Sequence, residues 1–82
     1  NEMKYTIENF KDVVEDTAMT DKEKIDELLR VDAIIYCNLG TDSTRKERDL
    51  ATRNSKKIYN CIKAIDNEMG ETFIRLIDKK IK

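Results

Sequence analysis

Apolar residues recur at intervals of three and four along most of this chain, the spacing that places side chains on one face of an α-helix. The pattern is strongest between residues 44 and 69, where the apolar side chains fall within an arc of roughly 120° at helical rotation. These residues are Leu50, Ala51, Ile58, Cys61, Ile62, Ile65 and Met69. Thr44 and Glu47 have capping-box spacing, and Gly70 stands where a left-handed residue would end the helix. The sequence therefore predicts one long helix over residues 44–69.

The same spacing predicts three shorter helices, over residues 6–18, 21–38 and 71–81. Thr6 is a suitable N-cap for the first, and Thr20 with Glu23 forms a second capping-box pattern at the start of the next. Gly40 follows that helix as a C-cap. We expect an all-α fold, a small bundle of three to four helices in a single domain over residues 1–82, with the long helix at its centre.

The second half of the second predicted helix is apolar at almost every angle. A helix that is apolar all round is buried all round, so this stretch either fills the core or is covered by another protein chain. Both interpretations stay open at this point. Asp32 lies inside the apolar arc, where a carboxylate needs a partner, and we expect Arg or Lys from the long helix to supply one. The candidate partner-binding residues are Val31, Ile34, Ile35 and Tyr36.

Basic side chains form a stripe beside the apolar face of the long helix. Such a stripe can contact phosphates, with an affinity that falls as salt rises, or it can be an ordinary solvated face. No aromatic residues interleave with the basic ones as a single-strand binder requires. The candidate nucleic-acid-binding residues are Arg45, Lys46, Arg53, Lys56 and Lys57, with Lys63 further along the same stripe.

Charge is distributed unevenly between the two parts of the chain, although the total is only −1. Residues 1–32 carry five basic and ten acidic side chains, a net charge of −5, and residues 33–82 carry eleven basic and seven acidic, a net charge of +4. We expect the two halves to attract each other and so to neutralise part of the basic stripe.

Residue types that support catalysis or metal binding are scarce. The chain has no His, and its two cysteines, Cys37 and Cys61, lack CxxC spacing, so we expect two buried free thiols and no metal or cofactor. Acidic pairs such as Glu15-Asp16 fall on predicted outer faces, and no Gly-rich phosphate loop is present. We therefore expect a protein that is not an enzyme. No apolar run is long enough to span a membrane, and a cytoplasmic location is expected.

In its length and general character the chain resembles small regulatory proteins of T-even-type phages. It is short, rich in Lys, Ile, Asp and Asn, poor in Gly, and lacks Pro and His. Among such proteins it is similar to the cytoplasmic antiholins, which delay lysis by binding a holin. The resemblance implies a regulatory protein whose partner is another small protein, a holin or antiholin. It rests on no motif and assigns no residue a role.

The expected function is that of a non-enzymatic protein-interaction module, a small regulatory or inhibitory protein that binds a protein partner stoichiometrically. An apolar patch would supply affinity and the flanking charges would select the partner. Association of two copies through the same patch is a further expectation. The alternative is a nucleic-acid-binding helical domain that uses the basic stripe.

Overall fold

The computed structural model describes residues 5–81, with side chains through Lys79. Every regular element in this part of the chain is helical: a 3₁₀ helix at Phe10–Glu15, then α1 at Asp21–Cys37, α2 at Arg45–Ile65 and α3 at Asn67–Ile81. The all-α fold predicted from the sequence is confirmed. The long helix α2 is central because the 3₁₀ helix, α1 and α3 all pack against it.

Both predicted capping boxes form. Thr20 Oγ1 accepts a hydrogen bond from Glu23 N at 3.2 Å, and Glu23 Oε1 accepts one from Thr20 N at 2.8 Å. Thr44 and Glu47 make the same two bonds at 3.1 and 2.8 Å. Each box satisfies two backbone N–H groups that lack an intrahelical partner. The starts of α1 and α2 are therefore set by local sequence.

The first predicted helix, over residues 6–18, is wrong in type and length. Thr6 N donates to Asn9 Oδ1 at 2.6 Å and Glu8 N donates to Thr6 Oγ1 at 3.2 Å, which are contacts of the kind that begin a helix. The backbone bonds that follow join residues three apart, Asn9 N to Thr6 O at 3.2 Å and Asp12 N to Asn9 O at 3.0 Å, so the chain forms only the 3₁₀ helix. Phe10 and Val13 are buried there, and their separation of three residues places them on one side of a 3₁₀ turn.

The boundary between the last two helices lies at Asp66, and the prediction of one helix over residues 44–69 is wrong. Asp66 is extended, with φ −138° and ψ 99°, and its Oδ1 accepts a hydrogen bond from Met69 N at 3.1 Å at the start of α3. Neither Gly70 nor Gly40 adopts a positive φ, so neither is a left-handed C-cap. Asn38 ends α1 in the right-handed region instead.

Gly70 serves a different purpose inside α3. A Cβ atom at this position would lie 2.4 Å from the Cα of Lys63 in α2, far closer than real Cβ contacts. Only glycine lets the first turn of α3 pass so near the last turns of α2. The glycine therefore permits a helix crossing and does not end a helix.

The core lies where the 3₁₀ helix, α1 and α2 meet. Its fully or nearly fully buried side chains are Phe10, Val13, Leu28, Val31, Ile58 and Ile62. The third helix packs on another side of α2, where the Phe73 ring stacks on Tyr59 with centroids 5.2 Å apart. Ion pairs Lys56–Asp78 at 2.7 Å and Lys63–Glu71 at 3.4 Å also join α2 to α3.

A buried carboxylate holds the segment before the 3₁₀ helix against α1. Glu27 is only 2% exposed, and it accepts bonds from Arg30 Nε at 2.9 Å and Arg30 Nη2 at 2.6 Å. Tyr5 N donates to the same carboxylate at 3.1 Å, and Arg30 Nη2 also donates to Tyr5 O at 2.6 Å. The Arg30 guanidinium is the main cause that lowers the pKa of Glu27.

Across residues 5–81, no helix has the length and apolar character that crossing a membrane requires.

Candidate functional site

The four predicted partner-binding residues do not form one surface. Val31 is 1% exposed and belongs to the core, and Ile35 is half-buried and packs against it. Ile34 and Tyr36 are each 43% exposed. Two residues apart on a helix means roughly 200° of rotation, so these two side chains point to different sides of α1. The predicted patch thus divides into core residues and two separate exposed positions.

Most of the basic stripe faces solvent. Arg45, Lys46, Arg53 and Lys57 are exposed, and none makes an ion pair with another described side chain. Lys56 and Lys63 are the exceptions, because they pair with Asp78 and Glu71 of α3.

Each ion pair among residues 5–79 joins residues within one half of the chain. The four pairs are Lys22–Asp26, Glu27–Arg30, Lys56–Asp78 and Lys63–Glu71. The expected pairing between the acidic and basic halves is therefore not found in this part of the protein. Asp26 and Glu27 pair with basic residues of α1, whereas α3 supplies Asp78 and Glu71 to α2. Among the described side chains, the acidic half therefore makes no ion pair that cancels the charge of the stripe.

An open groove lies along α2 between α1 and α3, because those two helices pack on α2 without approaching each other. Its volume is about 620 Å³, and a second cleft of about 230 Å³ shares two of its lining residues, Tyr36 of α1 and Ile77 of α3. The other described residues of the larger space are Arg45, Asp49, Thr52, Arg53 and Lys56, and those of the smaller space are Tyr59, Phe73 and Leu76. We call these two adjacent spaces the α1–α3 groove.

The structure thus brings together one predicted apolar residue and three predicted basic residues. Tyr36, Arg45, Arg53 and Lys56 all line the α1–α3 groove. Lys46, Lys57 and Ile34 do not line it. The groove residues that the sequence analysis did not single out come equally from α2 and α3, and the apolar repeat at Phe73 and Ile77 was the only signal for those of α3.

A cluster of hydroxyl groups and one carboxylate lies between α1 and α2 beside this groove. Ser55 Oγ donates to Asp32 Oδ1 at 2.5 Å, and Tyr59 OH donates to Asp32 Oδ2 at 2.7 Å. Ser55 Oγ and Tyr36 OH are 3.1 Å apart. Burial, followed by the hydrogen bond to Asp32, raises the pKa of Tyr59 well above its usual value. The partners of Asp32 are thus hydroxyl groups of α2, and the expected Arg or Lys partner is wrong.

Neither cysteine is in a disulfide, but only one is substantially buried. Cys37 is exposed, contrary to the expected burial, and Cys61 is half-buried. Desolvation raises the pKa of the Cys61 thiol, which disfavours the reactive thiolate. The part of the chain that the structure describes contains no group of three or more potential metal-ligating side chains.

The fold and groove define a small all-α domain with one open, mixed apolar and basic surface. Comparisons of the chain with protein-family models, with curated proteins and with solved structures found no match.

Proposed function

We propose that this protein is a non-enzymatic interaction module that binds a protein partner stoichiometrically and acts as a small regulator or inhibitor. The observation that carries the proposal is the α1–α3 groove, which exposes large apolar side chains next to arginines. Tyr36 is 43% exposed and Leu76 is 54% exposed. Tyrosine and arginine dominate the binding energy of many protein interfaces, especially around a partly apolar depression.

The likeness to the antiholins makes this proposal more specific. A holin is then the partner, and the role is inhibition of lysis from the cytoplasmic side.

Capture of partners from a native lysate, with and without nuclease, tests the general proposal. We expect one protein to be retained in amounts comparable to the tagged domain in both arms, because a stoichiometric protein contact does not depend on nucleic acid. Recovery that disappears with nuclease, or no retained protein in either arm, would contradict it. Binding of a candidate holin to the purified domain tests whether the partner is a holin, with an unrelated membrane protein as the control.

The second candidate function is nucleic-acid binding by the basic stripe. It is favoured by the absence of ion pairs at Arg45, Lys46, Arg53 and Lys57 among the described side chains. If this function holds, affinity for duplex DNA falls steeply with salt. Replacing Lys46 and Lys57 by Gln would then reduce the slope of log K against log salt by about 2, because each phosphate contact contributes about 0.9. Binding that is absent, or insensitive to salt, rejects this candidate.

A further inference from the structure

Over the first turns of α2, no helix among residues 5–81 covers the face that lines the groove. Its lining residues Arg45, Asp49, Thr52, Arg53 and Lys56 follow helical spacing, so they lie on one side of α2. The contact of Asp78 with Lys56 places the last turn of α3 at that level. The described part of α3 runs three residues further, to Ile81, which is about 4.5 Å along α2. The first two turns of α2 extend beyond this described part of α3.

The walls of this space are apolar on both sides. Tyr36 stands on the α1 side, and Ile77 with Leu76 stands on the α3 side. Leu76 is 54% exposed although it lies between two helices. Ile77 is already only 6% exposed, so Tyr36 and Leu76 are the apolar side chains that an added helix with one apolar face would bury, in the way that amphipathic helices occupy grooves in other proteins. The apolar walls thus require an amphipathic occupant.

The charges that line the groove determine whether an acidic or a basic partner fits it. Among the cations that line the groove, Lys56 is already paired with Asp78. Arg45 and Arg53 have no ion-pair partner among the described residues, and Asp49 is the one carboxylate in the same lining. Guanidinium groups bind carboxylates in a bidentate manner. A partner with acidic residues beside its apolar face complements this groove, whereas a basic partner is repelled.

We infer that the α1–α3 groove binds an acidic amphipathic helix of a partner protein. The inference rests on the proposed function and names the surface and the kind of partner segment. The helix lies along α2 from its first turns to the level of Tyr59, with its apolar side against Tyr36, Leu76 and Ile77. Its carboxylates face Arg45 and Arg53.

Three synthetic peptides of about 20 residues test this inference by fluorescence anisotropy. The first has Leu at helical spacing with Glu on the flanks, the second has Lys in place of every Glu, and the third is a scramble of the first without an apolar face. We expect the acidic amphipathic peptide to bind at least about tenfold more tightly than either of the others, since it alone matches both surface chemistry and charge.

Two pairs of matched variants locate the binding site. Leu76→Ser and Leu50→Ser remove the same side chain at positions that are both 54% exposed, but Leu50 does not line the groove. We expect Leu76→Ser to weaken binding at least about fivefold and Leu50→Ser to change it by less than about twofold. Circular dichroism checks that both variants keep the wild-type helix content.

Arg53→Glu and Lys57→Glu make the same charge change on α2, inside and outside the groove lining. We expect Arg53→Glu to weaken binding of the acidic peptide about tenfold and to strengthen binding of the Lys peptide. Lys57→Glu should have a smaller effect on both affinities at about 0.15 M salt, because screening reduces the influence of a charge outside the groove. A gain of affinity for the Lys peptide cannot come from damage to the fold.

Several results would overturn the inference. The first is equal affinity for the acidic and the Lys peptides. The second is an equal loss of peptide affinity in Leu50→Ser and Leu76→Ser. The third is that duplex DNA displaces the peptide while Leu76→Ser leaves DNA binding unchanged. A dimer of the domain that Leu76→Ser dissociates would assign the groove to a second copy. If the protein captured from lysate still binds the Leu76→Ser and Arg53→Glu variants, the groove inference fails and the proposed function stands. If no protein is captured, the proposed function itself fails.

Discussion

Gly70 has no side chain, and this allows α3 to begin close against the end of α2. A Cβ atom added there would lie 2.4 Å from Lys63 Cα and 2.5 Å from Lys63 N, which are backbone atoms that cannot rotate away. At Gly40 the same atom would meet only the side-chain Oδ1 of Asp42 at 2.9 Å. That oxygen can move at little cost because it is the end of an exposed side chain. The two glycines of the chain therefore differ in how strictly they are required.

We predict that Gly70→Ala lowers the free energy of unfolding by about 2 kcal/mol. Overpacking against a backbone typically costs about 1–3 kcal/mol, and the better helix propensity of alanine returns at most about 1 kcal/mol. Urea denaturation followed by circular dichroism measures the change. Gly40→Ala is the control and should stay within about 0.5 kcal/mol of wild type. Equal stability of the wild type, Gly70→Ala and Gly40→Ala would contradict the prediction, because it would show that α2 and α3 can move apart without cost.

Glu27 is the buried acidic residue that makes part of the fold dependent on pH. Its pKa is lowered chiefly by the hydrogen bonds from Arg30, so the folded state favours the carboxylate more than the unfolded state does. A group whose folded pKa is depressed stabilises the protein above its unfolded pKa, here about 4.5. That contribution is lost as the pH falls below this value.

We predict that Glu27→Gln destabilises the domain by about 1.5–3 kcal/mol at pH 7, the usual value of hydrogen bonds to charged groups. The difference between variant and wild type should shrink as the pH is lowered from 5 to 3, because the wild type then loses its own carboxylate. Chemical denaturation at each pH gives both quantities. Asp26→Asn is a suitable comparison, since Asp26 pairs with Lys22 on the surface and should change stability by less than about 1 kcal/mol. A constant difference across this pH range would contradict the assignment.

At the scale of elements, α1 and α2 are joined by polar as well as apolar contacts. Asp32 of α1 accepts hydrogen bonds from Ser55 and Tyr59 of α2, which are one helical turn apart. Ser55 is fully buried, and no buried side-chain nitrogen or oxygen in the described part of the chain lacks a partner. Such a satisfied cluster favours one register of the two helices, because sliding either helix would leave buried groups unpaired.

We predict that Ser55→Ala lowers the free energy of unfolding by about 1–2 kcal/mol, since it removes a hydroxyl that donates to a half-buried carboxylate. A double-mutant cycle with Asp32→Asn should give a coupling energy of at least about 0.5 kcal/mol. Thr72→Ala, at an exposed position of α3, provides a control for loss of a hydroxyl. Strict additivity of Ser55→Ala and Asp32→Asn would show that the hydrogen bond contributes nothing to stability.

The whole molecule is a flat arrangement in which α3 depends on a single neighbour. The Cα atoms span 39 × 27 × 14 Å, and α3 contacts α2 alone among the other elements. The 3₁₀ helix and α1, by contrast, contact each other as well as α2. Among the described residues, the buried core cluster takes no side chain from α3, and elements outside the core open at lower free energy than the core. We therefore expect α3 to be the less firmly held wall of the groove.

We predict that backbone amides of α3 exchange with solvent faster than those in the middle of α1 and α2. Phe73→Ala should increase the exchange of α3 further and change the protection of α1 less, because the ring stacks on Tyr59 of α2 and α3 contacts α2 alone among the described elements. Hydrogen exchange followed by mass spectrometry resolves the helices. The acidic amphipathic peptide should slow exchange in α3 if it spans the groove. Equal protection of all three helices in the free protein would contradict this description.

The sequence alone determined the helical fold and the features that depend on neighbouring residues. Capping boxes at Thr20 and Thr44 act within four residues, so their positions could be predicted correctly. The apolar period of α2 likewise identified Ile58 and Ile62 as core residues. The prediction of the first helix was wrong because the backbone there closes bonds between residues three apart, Asn9 N to Thr6 O and Asp12 N to Asn9 O, and apolar spacing does not distinguish this 3₁₀ pattern from a short α-helix.

Only the tertiary structure decided where the helices meet and what remains exposed. The role of Gly70 depends on Lys63, and the partners of Asp32 lie 23 and 27 residues away. The groove exists because α1 and α3 pack on different sides of α2, which no pattern along one helix contains. Burial of Val31 and exposure of Tyr36 also depend on which side of α1 meets α2. Periodicity places residues on a face of a helix, whereas packing between distant segments determines whether that face is core, groove or open surface.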